Sequence, residues 1–384
     1  MEGAADVVIA GGGVIGLAAA WEVAQRGLSV RVVDPSPGRG AAWVAAGMLA
    51  PVTEATFGEE GLVQLFLAAA GRWPGFAERL QAATGRDTGF RACGTVTVGL
   101  DASDRAVIDQ LLDFQHGLGL DASRLSASEC RALVPVLSPA VRGGALMPGD
   151  HQVDNRVLVR SLVEGCERAG VTFIGDRVVA VSTDRSGAAV GLVTERGDIV
   201  AGASVLLAAG AQTPRIAGVP DGVVPPIRPV KGHVVRLRAA QGRTPFTHIV
   251  RGLVHGRNCY LVPRVDGSVV VGATSEERGY ETTVQAGAVH ALLDDARQLV
   301  PDVDEWEFVE STAGLRPGSP DNAPFVGPTR VRGLVIATGH YRNGFLLTPI
   351  TAEAVAAYLT TGSVPPPLDA YPVDRQLADA RTRA

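Results

Sequence analysis

Three glycines, Gly11, Gly13 and Gly16, mark the passage from a short apolar run, Asp6 to Ala10, into a longer run, Val14 to Arg26, the last of them inside its first turn. This arrangement restricts the fold more than any other feature of the chain. The first run is rich in valine and isoleucine, as a buried parallel strand is. In the second, Ala, Leu, Trp21 and Val23 recur at spacings of three and four until Gly27 offers a C-terminal stop. Ser29 to Val33 is a further β-branched run, and it ends on Asp34. Strand, glycine turn, helix, strand and terminal acid form the βαβ unit of a dinucleotide site.

Each position in that unit has a mechanical reason. Gly11 permits the tight turn, Gly13 lets backbone approach a pyrophosphate, and Gly16 lets helix and strand pack closely. Val14 and Ile15 then open a helix whose free N–H groups and positive dipole end face the phosphates. Asp34, followed by Pro35, is placed to accept hydrogen bonds from ribose hydroxyls, and an acid there counts against NADP. The fingerprint by itself does not choose between NAD and FAD.

The rest of the composition bounds the problem. A chain of 384 residues suggests two domains. A net charge of −5 argues against general affinity for nucleic acid or an anionic membrane. Cys93, Cys130, Cys166 and Cys259 are too scattered for a zinc site or a disulfide framework, and read as free thiols. Val7 to Ala20 is apolar like a signal-peptide core, but Glu2, Asp6 and the glycines contradict that reading. No run reaches the roughly 18 apolar residues of a membrane helix. A cytoplasmic protein without membrane or nucleic-acid partners is therefore expected.

After the turn-forming stretch from Pro35 to Gly40 comes AAWVAAGMLAP, Ala41 to Pro51, whose small residues suit close backbone approach to a large flat group. With the fingerprint, this run resembles the D-amino-acid oxidase superfamily of FAD-dependent oxidoreductases, in the form found in its glycine oxidases of the thiamine-biosynthesis type. The resemblance continues through QVDN at Gln152 to Asn155, a glycine-marked strand end at Gly210, NCYLVPR around Tyr260, GLRP around Arg316, and GLVIATGHYRNGFLLTP near the C-terminus. It implies an α/β chain, α+β overall: a Rossmann-like FAD-binding domain with a discontinuous antiparallel-sheet substrate domain. The expected boundaries are 1–90, 150–225 and 315–365 for the first, 91–149 and 226–314 for the second, and 366–384 for a surface tail.

By the same resemblance Ala41, Ala42, Ala46, Gly47 and Met48 line the flavin, with Met48 nearest the ring. Val178 meets the adenine side, Gly210 marks a second approach to the cofactor, and His340, Tyr341, Arg342, Asn343, Gly344, Phe345 and Leu346 wrap the flavin's pyrimidine edge. Two departures stand out. Alanines occupy 41 and 42, where family members often carry hydroxyls, so backbone N–H groups would replace those contacts and FAD affinity could fall. Asn155 stands where proline is common. No cysteine lies in the GLRPG segment, so FAD is expected to be non-covalent.

For substrate, the resemblance assigns Arg316 and Tyr260 to the carboxylate and Arg342 to a position near both flavin and substrate. Guanidinium suits this task because its parallel donors match a carboxylate and it stays charged. The plainer readings are a surface arginine before a Pro-Gly turn, a core tyrosine with its hydroxyl at the rim, and an exposed arginine at a helix start. Lys231, the only lysine, could favour oxygen reduction beside a flavin, but reads more simply as a strand-start residue. His233, His255 and His340 lack metal spacing.

No acid-base constellation is visible, and hydride transfer from an amine needs alignment more than a general base. The resemblance thus implies oxidative deamination of glycine, and possibly of sarcosine or small D-amino acids, with oxygen as acceptor, feeding thiazole synthesis, in a protein of tetrameric family habit. A sarcosine or D-amino-acid oxidase, an amino-acid dehydrogenase, and a non-catalytic FAD-binding subunit of a larger complex remain open alternatives.

Overall fold

The computed structural model describes residues 3–239 and 246–375. Two eight-stranded sheets organise them. In the first, β1 (Ala5–Ala10) lies parallel between β2 (Val30–Val33) and the strand Ile199–Leu207, and Leu334–Thr338 continues the parallel set beyond that strand. Helix α1 (Val14–Gln25) connects β1 to β2, and Gly27 follows its end at φ +84°. The predicted βαβ unit is thus present.

The strand Ile199–Leu207 serves two neighbours. Its first residues pair antiparallel with Ala189–Thr194, and its later residues pair parallel with β1. The sequence pattern divides this stretch into a meander ending at Ala201 and a separate strand from Ala203. The chain instead runs through both without a turn, because Gly202 lets it pass against Val8, where a β-carbon would come within 2.8 Å of a valine methyl.

Four helices, α1, Val63–Thr84, Asn155–Arg168 and Thr348–Thr361, contribute to the apolar core on one face of this sheet. Trp21 meets Phe76 edge-on at 5.5 Å, and Trp73 meets Phe76 at 5.7 Å. The Asn155–Arg168 helix starts as expected, with Asp154 accepting from the N–H groups of Arg156 and Val157 at 2.9 and 3.1 Å.

The second sheet runs in the order Glu307–Gly318, Arg228–Arg238, Ser268–Gly272, Arg257–Pro263, Ile249–Val254, Thr95–Gly99, Gly143–Met147, Ser123–Leu125. It is antiparallel as expected, except that Ile249–Val254 and Thr95–Gly99 are parallel. That pair joins stretches some 150 residues apart, too distant for any hairpin to set their direction. The helix Ala286–Leu299 packs into an apolar core with Val235, Leu237, Val269 and Val271 of this sheet.

The segment 366–384, expected as a surface tail, packs against the body through residue 375. Leu368 is fully buried, Tyr371 donates to the Gly61 carbonyl at 2.7 Å, and Arg375 pairs with Asp321 at 2.9 Å. Residues 376–384 of that expected tail lie outside the described residues. All four cysteines are free, and three are buried. No described helix is long and apolar enough to cross a membrane.

Candidate active site

The C-terminal ends of the parallel strands gather the glycine turns along one edge of the first sheet, where ligands bind in open α/β sheets. Gly11 follows β1 at φ +105°, with a hypothetical β-carbon 2.6 Å from the Ala208 carbonyl oxygen. At Gly16 a β-carbon would lie 1.9 Å from the Gly11 carbonyl oxygen, so helix and turn can approach only because both residues lack one. Gly13 faces open space and leaves α1 without a side-chain cap. The first-turn N–H groups, with Val14 and Ile15, are therefore available to an anion.

Asp34 directly follows β2, and its carboxylate has a structural task besides any ligand. It accepts from Gly12 N and Ser36 N, both at 2.7 Å, and so fixes the glycine turn against the Pro35 corner. Gly210 opens a short helical turn after Ile199–Leu207, and its carbonyl accepts from the Thr338 hydroxyl at 3.1 Å, tying two strand ends together. Val178 begins the outer strand Val178–Thr183.

Ala41–Val44 forms one helical turn. Buried Asn155 donates to the carbonyls of Ala42 and Trp43 at 2.8 and 3.0 Å and accepts from Arg236 at 3.0 Å. A proline at this position could make none of these bonds. Ala41 and Ala42, first in the turn, keep N–H groups with no intrahelical acceptor.

From this turn the chain borders a cavity of about 650 Å³ whose other wall is the second sheet. Ala41, Ala46, Gly47, Met48, Tyr341, Arg342, Asn343 and Phe345 line it, together with Tyr260 and Arg316. These residues share one space, while the Gly11–Gly16 turn, Asp34, Pro35, Val178 and Gly210, also expected at the cofactor, do not line it. Ala42, His340, Gly344 and Leu346 do not face it. Ala42 and His340 are buried, and the Leu346 carbonyl accepts from Trp73 at 3.1 Å. His340 bonds the Thr351 hydroxyl at 3.0 Å, and burial lowers its imidazole to about 3, so it is neutral.

Tyr260 and Arg316 reach the cavity over glycines. A β-carbon at Gly272, the cross-strand partner of Tyr260, would lie 2.3 Å from the phenol oxygen. Burial raises the Tyr260 phenol, which keeps it an O–H donor. The Arg316 guanidinium donates to the Thr274 carbonyl at 3.1 Å. It has no carboxylate partner among the described residues.

The sequence reading missed Arg251, Glu54 and Glu59. Arg251 Nη1 pairs with Glu54 at 2.8 Å and donates to Thr53 Oγ1 at 3.1 Å. Arg342 binds the other Glu54 oxygen and pairs with Glu59 at 2.8 Å. Arg342 therefore lines the cavity as expected, but with two carboxylates on its guanidinium. Burial alone would raise the Glu54 carboxyl, yet Arg251 and Arg342 hold it at about 2. The turn beneath is anchored by Asp150, which accepts from Val52 N and Thr53 N at 2.8 and 2.9 Å, and burial raises its carboxyl to about 6. A charged residue inside the apolar run HIVRGLV was the one available sign of Arg251.

Lys231 points away from the cavity. It is fully buried on the opposite face of the strand from Gly232, donating to the Thr283 carbonyl at 2.6 Å and to Gln285 Oε1 at 2.9 Å. A role beside a flavin is not available to it from there.

Residues 6–358 match the family model described as FAD dependent oxidoreductase. The chain belongs to that family. Among its relatives, a glycine oxidase of Geobacillus kaustophilus is 34% identical over 357 residues, which is 91% of this chain and 92% of that protein. The crystal structure of the glycine oxidase from Geobacillus kaustophilus superposes with a TM-score of 0.88 at 33% identity, covering 97% of this chain and 99% of the other. The Bifunctional protein ThiO/ThiG of Synechocystis sp. is 33% identical over 380 residues, 98% of this chain. The chain spans about 55% of the length of that bifunctional relative.

The residues present fit the FAD of this family. The glycine turn forms a cradle that a β-carbon at Gly11 or Gly16 would fill, and an uncapped helix faces it.

Proposed function

We propose that this FAD-dependent oxidoreductase oxidises small amino acids, glycine first among them, to the 2-oxo acid. The observation that carries this reading is the state of Arg316. Of three arginines lining the cavity, it alone has no carboxylate partner among the described residues, so its charge is available to a substrate carboxylate. Tyr260, a neutral donor on the same sheet face, supplies a second contact to that group.

FAD, held non-covalently, supplies the hydride acceptor. The chain's own residues do the rest. Arg316 and Tyr260 fix the carboxylate and so orient the substrate Cα, which is worth more here than a general base. No lining residue is placed as a strong base, since Glu54 is held by two arginines and Glu59 by Arg342, so the amine must lose its proton as it enters. Overall, glycine, water and oxygen give glyoxylate, ammonia and hydrogen peroxide.

Thiamine thiazole synthesis is the proposed destination of the product. Support comes from the resemblance to glycine oxidases of that pathway and from the relatives named ThiO/ThiG. The FAD-binding domain we propose comprises 1–90, 150–225 and 315–365, with 91–149 and 226–314 forming the substrate domain.

An aerobic peroxide assay across glycine, sarcosine and a panel of D-amino acids tests the reading. Peroxide should form with glycine. Bleaching of the flavin by these amines with dye reduction but no peroxide would point to a dehydrogenase, and no bleaching by any of them would reject the reaction.

A further inference from the structure

The charged groups around the cavity form a chain rather than a scatter. Arg251, on the strand Ile249–Val254, binds one oxygen of Glu54 at 2.8 Å. Arg342 binds the other oxygen, and its far end pairs with Glu59 at 2.8 Å. Two carboxylates are shared among two arginines, and Arg316 stands outside this chain. The cavity therefore presents one uncompensated positive charge to whatever enters it.

We propose that Glu54 is the specificity-determining residue that limits the cavity to substrates with a single carboxylate. This rests on the reading of Arg316 as the substrate anchor. A second acidic group on the substrate would find the Arg251 guanidinium already occupied. It would have to displace Glu54 or lie beside the Glu54 and Glu59 carboxylates, and both arrangements place like charges together in a partly desolvated space. The Glu54 side chain is only 11% exposed, so water does little to screen it. Its position is fixed from below by the turn that Asp150 holds.

Glu54→Gln is nearly isosteric and removes one negative charge while Arg342 keeps Glu59. Arg251 then becomes available to a second acid. The test compares the parent holoenzyme, Glu54→Gln and the double variant Glu54→Gln with Arg251→Gln. The substrates are glycine and N-carboxymethylglycine, and the binding probes are acetate and malonate, read from the flavin absorbance change.

The kcat/KM ratio of the diacid to glycine should rise about tenfold or more in Glu54→Gln, the scale of one charge-assisted hydrogen bond. Malonate should tighten relative to acetate, and Arg251→Gln should reverse both gains. A ratio unchanged within about twofold, or gains that survive loss of Arg251, would overturn the proposal. If Glu54→Gln does not accumulate as folded holoenzyme, Arg251→Gln alone carries the test in the opposite direction: it leaves the Glu54 charge less compensated, so malonate should weaken relative to acetate, and an unchanged acetate–malonate preference there is equally decisive. If the parent oxidises no amine, the reaction reading fails, while the acetate–malonate comparison still decides the charge rule.

Discussion

Arg316 lies across Gly232 of the neighbouring strand, and a β-carbon on Gly232 would stand 2.3 Å from its Nη1. The guanidinium occupies the place of a missing side chain. Tyr260 stands in the same relation to Gly272. Two glycines in one sheet thus form the floor on which the proposed carboxylate anchor rests.

If Arg316 holds the substrate carboxylate, Arg316→Ala should lose roughly 2 to 5 kcal/mol of transition-state stabilisation, the cost of leaving a buried charge unpaired. That is about 30-fold to several thousand-fold in kcat/KM at about 1.4 kcal/mol per decade. Arg316→Lys should rescue only in part, since a point charge cannot reproduce the fork. FAD content should stay near the parental level in both, and near-parental glycine turnover in Arg316→Ala would remove the assignment.

Gly272→Ala should act on substrate without touching the cofactor turn. Its new methyl must displace the Tyr260 hydroxyl, so KM for glycine should rise more than kcat falls. Steady-state kinetics with flavin content measured on the same samples will show this. An equal fall in flavin content would mean that the sheet itself had moved.

Gly16→Ala places a β-carbon 1.9 Å from a backbone oxygen that no side-chain rotation can relieve. A cost of about 1–3 kcal/mol or more is expected for such overpacking, seen as a lower Tm and a colourless fraction after purification. A variant as stable and as yellow as the parent would contradict the packing described.

Asn155→Ala should weaken the Ala41–Val44 turn, because two carbonyls and one Arg236 donor lose their partner in a buried place. About 1–3 kcal/mol is at stake for each group left unsatisfied. Chemical denaturation and FAD titration should both register the loss, whereas an effect on glycine KM alone would not be explained by these bonds.

The pH dependence of stability should carry a His340 signature. Burial lowers its folded-state value to about 3 from an ordinary 6.5. The folded protein then binds fewer protons than the unfolded chain, so this stability is complete above pH 6.5 and is lost as pH falls toward 3. His340→Gln should flatten that part of the Tm curve. Asp150, raised to about 6 by burial, acts in the opposite sense, losing its contribution as pH rises from 3.8 to 6, and is common to both proteins. Superimposable curves would refute the His340 contribution.

The cofactor face was legible because its signals are local. The Gly11–Gly16 turn, Gly27 and the Asp154 cap each act within a few residues. The 22-residue helix Val63–Thr84 was not legible, since Pro74 lies inside it between Gly71 and Gly75. Burial of Phe66, Trp73, Phe76 and Leu80 outweighs those breakers, and only the assembled core reveals that. The same holds for Glu54 and Arg251, which are 197 residues apart in sequence. Nothing near either residue announces the other. Arg316 and Tyr260 were placed by resemblance, while their glycine floor depends on strand register that local pattern does not specify.

The alternation of the chain between its two sheets has a consequence for synthesis. β1 leaves the ribosome well before its partner, so one of its edges stays open until Ile199–Leu207 arrives, and Leu334–Thr338 comes later still. In the interval, strands of the second sheet emerge beside that open edge. Neither sheet is built from one continuous stretch, and the nascent chain must keep an apolar, half-paired strand away from other chains from the emergence of Ala10 until that of Ile199.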